Sequence, residues 1–236
     1  MNSNKHRFDN ASRKTYDYTM TPDLQDVLDS PALPDIVEEL TGRLARERTE
    51  RARFYDEIEE GVKAEFIRGE IIMHSPDRAE HIDIRSNLEN LIGNFVRLRG
   101  SGSLRSEKAL CVFPRNDYMP DICFWLPEKA GTIGPDTRKF PQPDFVVEVL
   151  SDSTEARDRG QKFEDFECHG VGEYWIVDGA NQSVEQYVLR AGSYQLLLKS
   201  GSGEISGEVV KGFRIPIGAI FEREANLAAL KQLLSA

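Results

Sequence analysis

The segment Phe145-Val-Val-Glu-Val-Leu150 constrains the fold most, because five apolar side chains surround a single carboxylate. An apolar run of this length is typical of a strand that is buried on much of both faces. Such a strand must lie inside a sheet that other elements cover. Glu148 therefore stands where packing alone would favour Ile or Val, and an ionised carboxylate there needs a cation beside it.

Asp121 repeats this conflict between charge and packing. It follows Pro120 and opens the apolar stretch 122–126. Two carboxylates on two core strands of one sheet can converge on one point, and oxygen ligands of this kind suit a hard cation such as Mg²⁺. The structural alternatives are a buried ion pair for Glu148 and a turn residue at the start of a strand for Asp121.

The helix predicted after the Glu148 strand supplies a lysine. Asp158, Lys162 and Phe166 are four residues apart, so they share one helical face. Phe163 and Phe166 indicate that this side of the helix contacts the sheet, which would direct the Lys162 ammonium over apolar surface into a cleft. In metal-assisted phosphodiester hydrolysis, a lysine can orient water or stabilise charge on the phosphate. The alternative is an i,i+4 ion pair with Asp158.

Helical and strand patterns alternate along the rest of the chain. The predicted elements are a helix at 36–58, a hairpin turning at Arg68-Gly69, a helix at 79–98, two strands between 104 and 126 that turn at Asn116-Asp117, a helix from a Ser151–Thr154 cap to His169, a strand at 173–178, β-structure from 183 to 221 and a helix at 225–234. This order predicts an α/β fold, with a mixed β-sheet core flanked by helices and an additional C-terminal antiparallel β portion.

The first 35 residues differ in composition from the remainder, being rich in Asn, Ser, Asp, Thr and Pro. We therefore predict an irregular N-terminal arm at 1–35 and a single domain at 36–236. The helix at 36–58 interleaves five arginines with glutamates, namely Arg43, Arg46, Arg48, Arg51 and Arg53. This pattern fits a solvated face with ion pairs, and the alternative is a surface that contacts phosphates.

Composition excludes several classes of protein. No apolar run approaches the roughly 20 residues that cross a bilayer, and the N-terminus lacks a secretory signal, so we expect a cytoplasmic protein without membrane contact. The three cysteines are scattered, which argues against disulfides and cysteine-rich zinc sites. The net charge of -10 argues against tight, non-specific binding of nucleic acid.

The chemistry-bearing residues, taken in order, give the chain a resemblance to the Uma2 family of restriction endonucleases, within the PD-(D/E)XK nuclease superfamily. The resemblance extends from about Phe54 to Phe221. The matching pieces are Glu65-Phe-Ile-Arg-Gly-Glu70, His81, Pro120-Asp121, Pro143-Asp-Phe-Val-Val-Glu-Val-Leu-Ser151, Asp158 with Lys162, and Gly170-Val-Gly-Glu-Tyr-Trp-Ile-Val-Asp178. The fold implied is the restriction-endonuclease-like mixed sheet with flanking helices.

The resemblance implies a role for each matching residue. Asp121 matches the acid of the PD element, and Glu148 matches the acid of the (D/E)XK element. The main-chain carbonyl of Val149 would also bind the metal. Glu65 matches an N-terminal glutamate that serves catalysis and metal binding, although a hairpin glutamate more often faces solvent.

Two positions depart from the expected motif. Position 150 is Leu150, where the (D/E)XK element has its lysine, and Lys162 matches a lysine that the family carries on the following helix. Phe166 stands where the family usually has Tyr, which removes a hydroxyl near that lysine. The N-terminal arm is also longer than the family core requires.

His81 and Ser151 are candidate substrate-binding residues. His81 opens a predicted helix, where a lone histidine is more often a capping or surface group. Ser151 lies at the predicted cap of the helix that carries Lys162, and no His-Asp pattern supports a nucleophilic role.

The sequence thus predicts an endonuclease that uses Mg²⁺, with Mn²⁺ as a substitute, and acts on DNA. The alternative is a catalytically silent module of the same fold that serves in binding or assembly. Exposed-strand candidates at 173–221, and the need for two sites to cut two strands, predict a homodimer.

Overall fold

The computed structural model describes residues 22–235. The chain divides between Arg48 and Thr49 into two compact units. The helices are α1 (Pro22–Leu28), α2 (Leu33–Glu57), α3 (Ala79–Arg99), α4 (Pro127–Ala130), α5 (Glu155–Asp158), α6 (Gln161–Cys168), α7 (Gly218–Phe221) and α8 (Arg223–Ser235). The strands are β1 (Ala64–Ile67), β2 (Glu70–Met73), β3 (Ser103–Ser106), β4 (Leu110–Val112), β5 (Asp117–Tyr118), β6 (Ile122–Trp125), β7 (Lys139–Phe140), β8 (Phe145–Val149), β9 (Glu173–Asp178), β10 (Ser183–Arg190), β11 (Ser193–Ser200), β12 (Glu204–Ser206) and β13 (Arg214–Pro216).

The N-terminal unit is helical where the structure describes it. The sequence predicts an irregular arm at 1–35, of which 1–21 lie outside the described residues. The prediction is wrong for α1 and for the start of α2. Pro22 occupies the first position of α1, where its fixed φ suits a helix and its missing N–H costs no bond. Leu24, Val27 and Leu28 then follow at helical spacing, a signal too short to stand out in a polar segment.

A six-stranded sheet forms the centre of the second unit, in the order β11-β10-β9-β8-β6-β3. β8 pairs antiparallel with β6 and parallel with β9. The parallel pairing follows from the chain path, because α5 and α6 lie between β8 and β9 and make the crossover that parallel strands require. All five residues of β8 are buried, as the apolar run predicts.

The two faces of β8 belong to different parts of the core. Phe145, Val147 and Val149 pack with the buried face of α3. Val146 belongs to the opposite side, which contains Phe166 of α6. Because side chains alternate along a strand, Glu148 points to the same face as Val146. The period of two therefore places the Glu148 carboxylate on the side of the sheet that α6 covers.

A second, five-stranded sheet has the order β2-β1-β5-β4-β7. The predicted hairpin is confirmed, since β1 and β2 pair antiparallel and both turn residues, Arg68 and Gly69, have positive φ (51° and 94°). Positive φ at two successive residues is the conformation of a two-residue hairpin turn, and it favours glycine at the second position.

The region 103–126 contains four short strands, so the prediction of two strands is wrong. β3 and β6 join the six-stranded sheet, whereas β4 and β5 join the five-stranded sheet. Glu107, with φ of 63°, lies between β3 and β4. Pro114 and Pro120 lack the N–H that a continuous ladder needs. The chain therefore changes sheet twice in this region.

The helix predicted from the Ser151–Thr154 cap to His169 is broken into α5 and α6. The break lies at Gly160, where a Cβ would stand 2.9 Å from the Ala156 carbonyl oxygen. Glycine alone avoids that clash, so the break is local to this residue. The Thr154 side chain does not cap α5, because its Oγ1 accepts a bond from the Ser151 N–H (3.3 Å). Gly170, with φ of 79°, follows α6 as predicted.

The C-terminal part confirms the additional antiparallel portion. β9, β10 and β11 form an antiparallel meander, and β12 pairs with β13 in a separate two-stranded sheet. α8 confirms the predicted final helix. Within the described part of the chain, no helix is long and apolar enough to cross a membrane.

Candidate metal centre

Asp121 and Glu148 converge at one end of the neighbouring strands β6 and β8. The Asp121 N–H donates to Glu148 Oε2 (3.3 Å), and the Val149 N–H donates to Asp121 Oδ2 (2.9 Å). Asp121 is 2% exposed and Glu148 is 3% exposed. The structure thus brings together the two carboxylates and the main chain of Val149, as the sequence predicts.

Lys162 reaches this pair from α6. Its Nζ lies 2.8 Å from Glu148 Oε1, 3.1 Å from Glu65 Oε1 and 3.2 Å from Asp158 Oδ1. The contact of Lys162 with Glu148 and its i,i+4 ion pair with Asp158 therefore coexist, so neither interpretation of Lys162 excludes the other. All three N–H groups of the buried ammonium have a carboxylate within reach, so Lys162 links β8, β1 and α5.

Phe166 explains how α6 is held in place. It is fully buried and makes edge-to-face contacts with Tyr118 (5.4 Å between centroids) and Tyr174 (5.2 Å). Such pairs contribute about 0.5–1.5 kcal/mol beyond area burial. The departure from Tyr at this position therefore leaves an apolar anchor one turn after Lys162.

Glu65 lies inside the protein, because every residue of β1 is buried. Its Oε1 accepts from the Met119 N–H (3.0 Å) and contacts Lys162, while its Oε2 lies 3.1 Å from His74 Nε2. Burial opposes ionisation of Glu65, but Lys162 and His74 outweigh it and lower the pKa of this carboxyl to about 2. Glu65 thus joins the site as an ionised group that holds Lys162.

Lys63 is a site residue that the sequence reasoning missed. Its Nζ lies 2.7 Å from Asp121 Oδ1. Lys63 precedes Glu65 by two residues, and residues two apart in an extended chain share a face. That spacing was the available signal once Glu65 was placed in the site.

His81 lies in the first turn of α3 and faces the acids. Its Nε2 is 3.1 Å from Asp121 Oδ2 and 3.0 Å from the Val149 carbonyl oxygen. Its Nδ1 is 3.5 Å from Asp77 Oδ2. The reading of His81 as a capping or surface group does not fit this position, because the side chain is largely buried.

Ser151 lines the same cleft but makes only local contacts. Its Oγ lies 3.0 Å from Thr154 Oγ1 and 3.2 Å from Ser153 Oγ. The cleft has a volume of about 530 Å³. Its lining includes Lys63, His74, Asp77, Arg78, His81, Asp121, Glu148, Val149, Ser151, Arg157 and Lys162.

Electrostatics at the centre show an excess of acid. Burial, together with Asp158, Asp121 and Glu65, holds the pKa of Glu148 well above its ordinary value despite Lys162. Burial also opposes ionisation of Asp121, but His81 and Lys63 lower the pKa of that carboxyl well below its usual range. One further cation would relieve the repulsion among these buried carboxylates.

The donor chemistry fits a hard divalent cation. The oxygens are two carboxylates and one main-chain carbonyl, from Asp121, Glu148 and Val149, which suit Mg²⁺ or Mn²⁺. Among the described residues, no three side chains of His, Cys, Asp or Glu already form a metal-ligating cluster. The fit therefore rests on the excess of acid and on the Val149 carbonyl, which is not a side chain.

The fold of the second unit is shared with a solved structure. A crystal structure from Anabaena variabilis, described as "a putative nuclease belonging to DUF820", has the same fold with a TM-score of 0.62 at 19% identity. The match covers 75% of this chain and 96% of that chain. The mixed sheet with flanking helices is therefore the fold that this structure also has.

Sequence comparison gives the family. Residues 50–218 match the Uma2 family model, described as "Putative restriction endonuclease". An uncharacterized protein of Synechocystis sp. is 30% identical over 144 residues, which make up 60% of this chain and 80% of the relative. The chain belongs to the Uma2 family.

Proposed function

We propose that this protein is a metal-dependent endonuclease that hydrolyses phosphodiester bonds in DNA. The observation that carries the proposal is the meeting of Asp121, Glu148 and Lys162 in one cleft. Lys162 Nζ lies 2.8 Å from Glu148 although the residues come from a helix and a strand. Membership of a restriction-endonuclease family supports the same reaction class.

Asp121, Glu148 and the Val149 carbonyl would hold Mg²⁺, with Mn²⁺ as a substitute. When bound, the cation would polarise the phosphate and lower the pKa of a water molecule. The Asp121 carboxylate is oriented by the Val149 N–H, and Glu148 is oriented by the Asp121 N–H. These main-chain bonds fix both acids before any ligand arrives.

Lys162 stabilises negative charge on the phosphate. Burial alone would lower its pKa, but the Glu148, Glu65 and Asp158 carboxylates hold the pKa well above its ordinary value, so the ammonium stays charged. Glu65 anchors this ammonium from the opposite side. A metal-binding role for Glu65 stays a prediction, since its contacts are with Lys162, His74 and the Met119 N–H.

DNA as the substrate must be reconciled with a net charge of -10. The cleft itself carries cations, and Arg78 and Arg157 lie along its lining together with Ser151. Side chains of these types bind phosphate oxygens. We propose that they contact the backbone near the scissile bond, and that overall affinity falls steeply with salt.

Plasmid cleavage tests the proposal. Wild-type protein with Mg²⁺ or Mn²⁺ is expected to nick or linearise supercoiled DNA, and Glu148→Ala is expected to lower the rate by roughly 100-fold or more. Glu204→Ala removes an exposed carboxylate of β12 and serves as the matched control. Equal cleavage by wild type and Glu148→Ala would show that the proposal is wrong.

One observation favours the silent module as a second candidate. Both oxygens of Asp121 already have partners, namely Lys63, His81 and the Val149 N–H. A site satisfied in this way could persist for structure alone. Calorimetric titration with Mg²⁺ and Mn²⁺ separates the candidates, because the silent module gives no heat and no thermal shift that depends on Asp121.

We also propose that the protein is a homodimer, since cutting both strands of a duplex needs two sites. Light scattering at the assay concentration tests this state directly. A mass of one chain, 26.7 kDa, would remove the claim.

A further inference from the structure

His81 contacts two atoms that the proposed function assigns to the metal. Its Nε2 lies 3.1 Å from Asp121 Oδ2 and 3.0 Å from the carbonyl oxygen of Val149. A substrate-binding role leaves this double contact unexplained, because neither oxygen belongs to a substrate. The imidazole nitrogen instead borders the place where both oxygens would share a cation.

The separations agree with those between ligands of one ion. Adjacent ligands of an octahedral cation with bonds of about 2.1 Å lie about 3.0 Å apart. The two distances at His81 Nε2 match this spacing. The same distances suit an N–H···O hydrogen bond, so the geometry is compatible with a hydrogen bond in the metal-free protein and with a single coordination shell when a cation is bound.

Asp77 supplies the outer partner that a ligating imidazole usually has. Metal-bound histidines commonly donate their other ring N–H to a carboxylate, which fixes the ring and its tautomer. Asp77 Oδ2 lies 3.5 Å from His81 Nδ1, and Arg85 holds the same carboxylate oxygen at 3.2 Å. Among the described residues, the buried His81 Nδ1 has no hydrogen-bond partner of normal geometry.

We infer that His81 is a nitrogen ligand of the metal, and that the centre therefore favours first-row transition ions over Mg²⁺. Imidazole suits transition ions, whereas Mg²⁺ takes oxygen ligands and keeps its waters. The inference rests on the proposed function, and it reverses the expected order in which Mn²⁺ merely substitutes for Mg²⁺.

Metal binding without nucleic acid tests the inference. By calorimetry, wild type is expected to bind Mn²⁺ at least about 10-fold more tightly than Mg²⁺. His81→Gln keeps a side-chain N–H donor and is expected to weaken Mn²⁺ about 10–100-fold while changing Mg²⁺ less than about 3-fold. Pulsed electron paramagnetic resonance of bound Mn²⁺ is expected to show imidazole nitrogen coupling that His81→Gln loses.

A control variant and the wild type distinguish failure of the ligand role of His81 from failure of the proposed function. His74→Gln removes a neighbouring imidazole that contacts Glu65, and it is expected to keep the nitrogen coupling. Unchanged Mn²⁺ binding in His81→Gln, or equal loss of both metals, would overturn the ligand role alone. Absence of metal binding in wild type would overturn the proposed function as well.

A second inference concerns the N-terminal unit and comes from a helix face that is exposed among the described residues. Val37, Leu40 and Leu44 occur at spacings of three and four residues on α2, and they are 51%, 52% and 42% exposed. Residues at these spacings form one apolar stripe. The stripe lies before residue 50, where the match to the family model begins. It is therefore an addition to the family core.

Charge on the same segment indicates what covers the stripe. Residues 33–39, at the start of α2, contain three acidic residues, Asp35, Glu38 and Glu39, and they contain no Lys or Arg. Residues 40–48 contain three arginines and one glutamate. A parallel pair of these helices would place like charges together, whereas an antiparallel pair places the acidic half of each helix against the basic half of the other.

The sign of the charge changes between Glu39 and Arg43, next to Leu40 of the stripe. We propose that two copies of the chain pair antiparallel through α2, with the stripe of Val37, Leu40 and Leu44 as the contact.

Light scattering and cross-linking test this interface on the full chain. Wild type is expected to have twice the chain mass of 26.7 kDa, and Leu40→Glu/Leu44→Glu is expected to be a monomer with an unchanged thermal melt. Leu196→Lys/Leu197→Lys alters exposed leucines of β11 and is expected to remain a dimer. A monomeric wild type, or a dimer lost only in the β11 variant, would overturn the proposal.

Cross-linking tests the antiparallel direction. In a Cys168→Ser background, which removes the exposed thiol, Thr41→Cys is expected to form a disulfide dimer with a mild oxidant. Leu33→Cys lies on the face of the stripe, four residues before Val37, and is expected not to cross-link, because antiparallel pairing separates the two copies of position 33. Efficient cross-linking at position 33 would show a parallel pair instead.

Discussion

Nζ of Lys162 lies 2.8 Å from Oε1 of Glu148, across 14 residues of chain and between a helix and a strand. The contact exists because Glu148 points to the face of the sheet that α6 covers. A (D/E)XK motif would have its lysine two residues after the glutamate, where this chain has Leu150. The contact between Lys162 and Glu148 is thus set by topology and not by local spacing.

Replacing Lys162 is expected to destabilise the fold strongly. Lys162→Met leaves buried carboxylates without their shared cation, which costs about 3–5 kcal/mol in the free energy of unfolding. Urea denaturation measures the change. Lys211→Met, at an exposed position, is expected to change stability by less than about 0.5 kcal/mol.

A double variant tests whether the loss of stability comes from the ion pair between Lys162 and Glu148. Lys162→Met combined with Glu148→Gln removes both the cation and one of the charges it compensates. The double variant is expected to lose less stability than the sum of the single variants, since the residues are in contact. Simple additivity would contradict the assignment of the effect to the ion pair.

The central part of the candidate site was predictable from sequence. Glu148 interrupts an apolar strand and Asp121 opens one, and two core strands of one sheet can bring their carboxylates to one point. The cost of a buried charge made these positions conspicuous. Lys162 required the resemblance as well, because its helical face is equally consistent with the ion pair to Asp158 that the structure also contains.

The contact of Lys63 with Asp121 and the pairing of Glu65 with Lys162 could not be predicted from the sequence patterns alone. Both depend on which strands become neighbours across two sheets, and β1 belongs to the five-stranded sheet. The division of 103–126 into four strands has the same cause. Local patterns describe a strand's own faces, but they do not say which sheet it joins.

Gly160 also escaped prediction, because one glycine inside a helical pattern is usually tolerated. Here a Cβ would stand 2.9 Å from the Ala156 carbonyl oxygen, a main-chain atom that cannot move freely. Gly160→Ala is expected to destabilise the protein by about 1–3 kcal/mol in urea denaturation. At Gly218 a Cβ has open space, so Gly218→Ala is the control and is expected to be nearly neutral.

Glu173 tests whether four buried N–H donors require a carboxylate as their acceptor. Its carboxylate accepts from Trp175 Nε1 (2.6 Å), Gln186 Nε2 (2.6 Å) and the Glu208 and Val209 N–H groups (2.8 and 2.7 Å). Glu173→Gln has nearly the same shape, but its NH₂ would face N–H donors. Unfolding free energy is expected to fall by about 2–3 kcal/mol.

Exposed Glu164 provides the comparison, and Glu164→Gln is expected to have little effect. A stable Glu173→Gln variant would mean that the amide finds acceptors, and that the four donors do not require a carboxylate. Calorimetric or urea unfolding of both variants decides between these outcomes.

The pair of His169 and Asp165 predicts a pH dependence of stability away from the cleft. His169 Nδ1 lies 3.0 Å from Asp165 Oδ1, and this carboxylate raises the pKa of His169 above its ordinary value although burial opposes it. A raised pKa in the folded state gives stability that is fully present below the unfolded pKa of about 6.5. That stability is lost as pH rises through the folded pKa.

Variants of His169 and Asp165 isolate the contribution of their ion pair to the free energy of unfolding. The unfolding free energy of wild type is expected to exceed that of His169→Gln by up to about 1 kcal/mol at pH 6, with the difference shrinking towards pH 9. Burial opposes ionisation of Asp165, but His169, Asn116 and Tyr118 lower the pKa of this carboxyl, so it stays ionised throughout this range. In an Asp165→Asn background, His169→Gln is expected to show no such trend. A difference that grows with pH would contradict the ion pair as its source.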